Sequence, residues 1–525
     1  MKATAIEDFA DSVIRCEHLQ EDRVVEADVA IVGTGAGGGV TAEILAQAGL
    51  RVAMIEAGDF KTHADFHMQE AEAYPQLYQE VASRKTRDHA ITILQGRTLG
   101  GSTTVNWTIC FHIPGPTLDH WGQEFDLSVF NEEELAPWYA HMEKRLHVHP
   151  WTRHNASNLA LRDGAKKLGW KHEVAARNVH HCRSLGYCGT GCPIDAKQSM
   201  LVTTIPAAMG QGAVLLTRCR ADRLVTRAER VQELECSALD ERGANRTGVR
   251  VTVRAKHFVA AAGGIDSPAL LLRSGVPDPS GQLGRRVFLH VTAGSAGIMP
   301  GRIDPFYGAP QSVYSNEFLW RDGVDGELGY KMETAPLQPV LAATAFKAWG
   351  QAHAGFMAEL PFIQPTIALL RDGFHEHSPG GRVQLRDDGT AVLDYQLNDY
   401  FWRGARAAYA SMAELQFAAG ARRVLPLHTG ARPYKNWKEA QAAIADLAMK
   451  PLHAQLFSAH VMGGCMMGPD EAKSVVDPDG THHQIRNLSV IDGSLFPTSI
   501  GANPSMPIYA VAARQATHLA KRLQS

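Results

Sequence analysis

Long apolar runs are missing from this sequence of 525 residues: no stretch approaches the ~18 consecutive apolar positions that a membrane-spanning helix needs. A charge excess is missing too. Lys and Arg number 52 against 55 Asp and Glu, a formal net charge of −3, so there is no electrostatic footprint for nucleic acid and no polybasic membrane patch. Cysteine is scarce, with eight residues, which excludes a disulfide scaffold. The first 25 residues alternate charged and apolar positions without a continuous apolar segment. They are read as holding no secretory signal, with the cytoplasm as the expected location and peripheral membrane contact left open. What remains is an ordinary globular composition, 45% hydrophobic and 20% charged.

The first strong element is the apolar run 27–32, which ends in Gly33. Glycines follow at 35, 37, 38 and 39, then helical spacing over 40–46, a stop at Gly49 and a second strand over 51–56. This is a βαβ opening. Residues 60–95 are polar and poorly periodic and predict a surface excursion. A helix is expected to start at Asn131. Between 213 and 262 the texture turns to β, with a turn expected at 245–248 and a separate buried strand over 257–262. Alanine-rich helices such as 405–419 follow, and the end reads as a strand over 487–492 and a closing helix over 505–523.

The spacing Gly33-x-Gly35-x-x-Gly38 sits between strand and helix. Gly33 permits a tight turn, Gly35 lets backbone approach a pyrophosphate, and Gly38 allows close helix–strand packing. The helix N-terminus favours phosphate, and Glu56 at the end of the second strand can accept from a ribose hydroxyl and would repel a 2′-phosphate. A second glycine-rich segment, 96–106, and a strand ending in Asp492-Gly493 exceed what a simple NAD fold needs. Asn503-Pro504 reads as an N-cap followed by proline at the first helical position.

These segments, with 262–275, 460–468 and 492–510, resemble the glucose–methanol–choline (GMC) oxidoreductase family, in particular its long-chain alcohol oxidase and dehydrogenase branch. Gly264 and Pro277 depart from the family's second signature, and an aromatic expected at Cys110 stands at Phe111. The resemblance implies an α/β fold: a Rossmann-like FAD domain from 25–125, 200–295 and 455–525, and an α+β sheet-and-helix substrate domain from 126–199 and 296–454. Residues 1–24 would be an N-terminal extension. It implies FAD held by Gly33, Thr34, Gly35, Ala36, Gly38, Glu56 and Ala57 at its ADP end. Arg97, Gly100, Gly101, Ser102, Thr104 and Asn106 would follow the isoalloxazine, with Asp492, Gly493, Asn503 and Pro504 near the closing helix. Some relatives bond FAD through a His that falls here at Val105, which has no nucleophile, so non-covalent FAD is expected.

Oxidising an alcohol at a flavin needs a base for the hydroxyl proton, and neutral His suits it. The resemblance places that base at His460 and its partner, which positions the substrate oxygen, at Asn503. Glycines 463 and 464 are expected to let backbone pass close to a flat ring. The expected reaction is oxidation of a CH–OH donor to aldehyde or ketone, with oxygen, a quinone or a cytochrome as electron acceptor. The apolar residues Leu337, Pro339, Val340, Leu341, Phe346, Trp349 and 361–363 favour a hydrophobic primary alcohol. Alternatives stay open: a non-redox lyase like the hydroxynitrile lyases, or an iron–sulfur sugar or polyol dehydrogenase. The second turns on Cys182, Cys188 and Cys192, which read as a structural or redox loop, an iron–sulfur site, or with His181 a zinc site. No metal is assigned.

Overall fold

Two large sheets organise the chain in this computed structural model, which describes residues 5–525. The first grows from the glycine-loop unit. Strand Arg23–Val32 leads into helix Ala36–Gln47, and strand Val52–Ile55 returns in parallel, with Val29 opposite Val52 and Val32 opposite Ile55. The facing stretches are apolar and buried, as a parallel sheet covered on both sides requires. Strand Arg246–Ala260 runs parallel on the other side of Arg23–Val32, and its last three residues pair with strand Leu488–Val490. The closing helix Ser505–Gln524 packs against helix Ala36–Gln47.

The second sheet is mainly antiparallel. Strand Thr292–Ile298 pairs with Ile363–Leu370 on one side and with Arg423–Pro426 and Leu456–Ser458 on the other; Tyr330–Glu333 and Val313–Phe318 extend it. Helix Asp399–Ala418 covers it, capped where Asn398 accepts from the Phe401 N–H at 3.1 Å. Gln416 on that helix donates to the Ser295 and Gln364 carbonyls at 3.1 and 2.9 Å, stitching helix to sheet. This is the expected architecture, an α/β Rossmann-like sheet beside a sheet-and-helix unit.

Three expectations change. Residues 60–95 are not all surface: Glu70–Leu77 is a helix, and Ile91–Ile93 is an edge strand of the second sheet with both isoleucines wholly buried. The stretch is too short for periodicity to declare itself. The turn lies at 240–245, where the Asp240 carboxylate accepts from the N–H groups of Ala244 and Asn245, so Arg246 already belongs to the strand. The strands expected within 249–262 are one, because Arg254 and Lys256 break the apolar pattern only on a solvent-facing side. Among the described residues no helix is long and apolar enough to cross a membrane.

His257 ties strand Arg246–Ala260 to Leu488–Val490 through Nε2 and Ser489 Oγ, 2.9 Å apart. Burial pulls its pKa down to about 3. The unfolded chain therefore binds a proton below about pH 6.5 that the folded chain refuses, so stability falls as the pH drops from there towards 3. At pH 5 this site is expected to cost roughly 2 kcal/mol relative to neutrality. Denaturant melts of wild type and His257→Gln at pH 7 and pH 5 check it: the variant should lose that much less on acidification.

Candidate active site

A cavity of about 570 Å³ is walled by both sheets. Its long side is built by the two glycine segments. Gly33 has φ +97°, and a Cβ there would stand 2.5 Å from the Ala261 carbonyl oxygen; at Gly38 it would stand 2.0 Å from the Gly33 oxygen. Both positions are glycine because the protein itself fills the space. Gly35 differs. A Cβ there meets nothing nearer than the Gly101 Cα at 4.0 Å, and the residue faces the cavity. Its bare backbone leaves room that no protein atom takes, the cradle a pyrophosphate at a helix N-terminus requires.

Thr34 joins the segments: its Oγ1 donates to Glu56 at 2.5 Å and accepts from the Gly100 N–H at 3.0 Å. Glu56 accepts further from the N–H groups of Thr34 and Gly58, at 3.2 and 2.8 Å, and burial raises its pKa. The carboxylate thus holds the loop while still lining the cavity. Ala36, Ala57, Arg97, Gly101, Ser102, Asn106, Asp492, Gly493, Asn503 and Pro504 line it as well, whereas Gly38, Gly100 and Thr104 do not. Thr104 turns inward to donate to the Leu99 carbonyl at 2.7 Å, and Thr103 takes its place on the wall. Asp492 is occupied by the Gly263 and Ser494 N–H groups and the Ser267 and Ser494 hydroxyls. The donor set, the open glycine cradle and the size of the cavity fit FAD.

At the other end His460 lines the cavity, half-buried because one side of the ring is bare to it. Burial, and behind it the Lys331 ammonium, pull its pKa down to about 3. Its Nδ1 lies 3.1 Å from His290 Nδ1, and among the described residues its Nε2 has no hydrogen-bond partner. His290 is wholly buried, in left-handed backbone (φ +47°) fixed by the Asp372 carboxylate, which accepts from the Leu289 and His290 N–H groups at 3.0 and 3.1 Å. Burial also holds His290 well below the ordinary range. Asn503 does not cap the closing helix. Pro504 occupies the cap position without a side-chain bond, and Asn503 Nδ2 donates to Glu333 Oε2 at 3.2 Å, a charge-assisted bond that turns the amide towards the second sheet. Gly463 and Gly464 serve packing rather than a ligand: a Cβ on Gly463 would stand 1.9 Å from the Arg286 oxygen.

A family model described as GMC oxidoreductase matches residues 19–292, and a second of the same description matches 377–512. The chain belongs to the GMC oxidoreductases. It is an FAD-dependent oxidoreductase of that family. An uncharacterised GMC-type oxidoreductase of Mycobacterium tuberculosis is 29% identical over 93% of this chain and 75% of its own length. A long-chain-alcohol oxidase of Arabidopsis thaliana is 25% identical over 93% of this chain and 66% of its own length. Pyridoxine 4-oxidase from Mesorbium loti superposes with a TM-score of 0.68 at 18% identity, over 94% of this chain and 98% of the other, a likeness of fold.

Four residues that this GMC oxidoreductase places at or beside His460 and Asn503 escaped sequence reasoning: His290, Gln311, Lys331 and Glu333. They belong to no local motif, and strand pairing in the second sheet brings them in. The family signature's departure at Gly264 has a local cause, since a Cβ there would stand 2.9 Å from Val461 Cγ1, next to His460. The apolar residues expected to favour a hydrophobic substrate do not reach the cavity: Leu337, Phe346 and Ile363 close a core of their own, and Trp349 is 89% exposed.

Proposed function

We propose that this GMC oxidoreductase oxidises a hydrophobic primary alcohol, with His460 as base, Asn503 holding the substrate oxygen, and FAD bound without a covalent link because Val105 offers no nucleophile. The observation that carries the reading is an imidazole kept neutral on the cavity wall, with a free Nε2. When bound, FAD supplies the hydride acceptor. A base at Nε2 needs the tautomer in which His460 donates its Nδ1–H to His290 Nδ1, leaving the Nε2 lone pair towards the alcohol hydroxyl. Burial disfavours a free imidazolium, so the proton is taken as charge leaves the substrate carbon rather than before. The preference for an apolar alcohol now rests on Trp107, Ile367, Leu369 and Phe457, which line the cavity and pack together.

Mixing anaerobic holoenzyme with a panel of alcohols tests the reading. Medium-chain or aryl primary alcohols should bleach the flavin's visible absorbance faster than glucose or choline. Bleaching by sugars alone would overturn the substrate class, and cyanohydrin cleavage without any bleaching would replace oxidation by a lyase reaction.

A second reading of the electron path has one observation in its favour. Arg177 is wholly buried, its guanidinium over the Trp151 ring at 4.9 Å, and among the described residues Nε and Nη1 have no hydrogen-bond partner while Nη2 donates to the Trp107 carbonyl at 3.5 Å and Cys188 Sγ at 3.7 Å. Lys197, almost wholly buried, donates to three carbonyls, those of Thr104, Asn106 and Cys188. Two buried cations without a carboxylate, beside the unbonded cysteines 182, 188 and 192, favour a negatively charged group there, an iron–sulfur cluster among the candidates. The three Sγ atoms do not all lie within 4.8 Å of one another, which speaks against one zinc ion. Iron and acid-labile sulfide are expected to be absent if flavin meets its acceptor directly; about three irons per chain would assign a cluster and a one-electron exit.

A further inference from the structure

Lys331 and Glu333 stand two residues apart on strand Tyr330–Glu333, so both side chains leave the sheet on the same face. They are 1% and 0% exposed, and their charged ends lie 3.2 Å apart. Stability alone does not account for such a pair. Removing two charges from water commonly costs as much as their attraction returns, and apolar replacement is often neutral or favourable.

What surrounds the pair does account for it. Glu333 Oε2 accepts from Asn503 Nδ2 at 3.2 Å and from Gln311 Nε2 at 2.5 Å. Both amides line the cavity that His460 faces. An amide can turn either its oxygen or its NH₂ to a neighbour, but a carboxylate only accepts, so it selects the NH₂ of both and fixes both planes. The Lys331 Nζ is enclosed in turn, 2.9 Å from the Phe111 ring centroid and 4.2 Å from that of Tyr314. Burial lowers the lysine to about 8, against the opposing pull of Glu333 and of Glu173 behind Tyr314.

We infer that the Lys331–Glu333 pair is a positioning device for the substrate-oxygen side of the cavity: Glu333 sets the amide planes of Asn503 and Gln311, and Lys331 supplies the charge that keeps Glu333 in the interior. The inference rests on the reading of Asn503 as the group that holds the substrate oxygen. Lys331 and Glu333 are positioning residues, since they act through the amides.

The test uses flavin-loaded enzyme and reads kcat, KM, flavin content and Tm. Glu333→Gln is expected to lower kcat about tenfold or more, with KM changed less than about threefold and flavin content unchanged. In an Asn503→Ala background the same substitution should cost clearly less than in the wild type, because only the Gln311 amide is left to position. The double variant Lys331→Met/Glu333→Gln should melt at or above the wild-type Tm while kcat stays about tenfold low. Recovery of kcat to within about twofold in that double variant would mark the pair as structural only and overturn the inference, as would a Glu333→Gln effect that multiplies undiminished with Asn503→Ala. The double variant decides if a single variant fails to fold. If Asn503→Ala alone leaves kcat unchanged, the reading of Asn503 falls; if it lowers kcat while Glu333→Gln does not, only the present inference falls.

Discussion

His460→Ala is expected to slow reduction of the bound flavin by roughly 10²–10⁴-fold, the usual contribution of a positioned general base. The flavin should stay bound, because His460 occupies one end of the cavity and the glycine segments build the other. The variant leaves His290 Nδ1 without its partner in a buried position, so a lower Tm should accompany the loss of rate. Stopped-flow reduction under anaerobic conditions separates the two effects. A variant that binds flavin, melts normally and is reduced at near wild-type rate would remove His460 from the mechanism, and a free Nε2 on the wall would then be only a polar edge of the pocket.

The second large effect is expected at Gly35. Its φ of −70° is open to any residue, and a Cβ there meets nothing in the protein nearer than the Gly101 Cα at 4.0 Å. Gly35→Val should therefore fold and melt close to wild type, yet its side chain would stand where the pyrophosphate must approach the loop, and flavin content should fall by more than about tenfold. The contrast is Gly37. There a Cβ would lie 1.8 Å from the Ile491 carbonyl oxygen, so Gly37→Val should fail as a fold before cofactor binding can be asked. Absorbance ratios of purified protein, with circular dichroism melts, measure both. A Gly35→Val enzyme that retains its flavin would show that the ADP end lies elsewhere on the wall.

Residues 27–56 are readable because three local signals agree there: apolar strands, glycines at fixed offsets and a helical stretch between them. The helix Glu132–Arg145 was readable for the same reason, since Asn131 accepts from the Glu134 N–H at 2.9 Å as its cap spacing implies. The other side of the site was not. His290 is one of 24 histidines, and what sets it beside His460 is the pairing of Thr292 with Phe457, a contact across 165 positions of chain. Lys331 and Glu333 would have read as an exposed charged edge, because nothing local reveals that Phe111, Tyr314 and Asn503 close over them. Asn503 itself carried a good local signal, a cap before Pro504, which a tertiary partner overrode. The density of apolar residues over 337–349 was real but silent about which core they join.

The pairing of Leu488–Val490 with the end of Arg246–Ala260 has a consequence for biosynthesis. At about 5–20 residues per second, a ribosome needs roughly 10–45 s to travel from Ala260 to Leu488. Throughout that interval the nascent chain holds its glycine loop beside a strand whose last three residues, Phe258 to Ala260, have a bare far edge, with no helix Ser505–Gln524 to cover helix Ala36–Gln47. Bare strand edges invite pairing with other chains, which makes this window the one in which chaperones matter most. The cavity wall is complete only once residues 492–504 are made, because Asp492, Asn503 and Pro504 belong to it. A chain cut short before them leaves the glycine loop without that side of its wall.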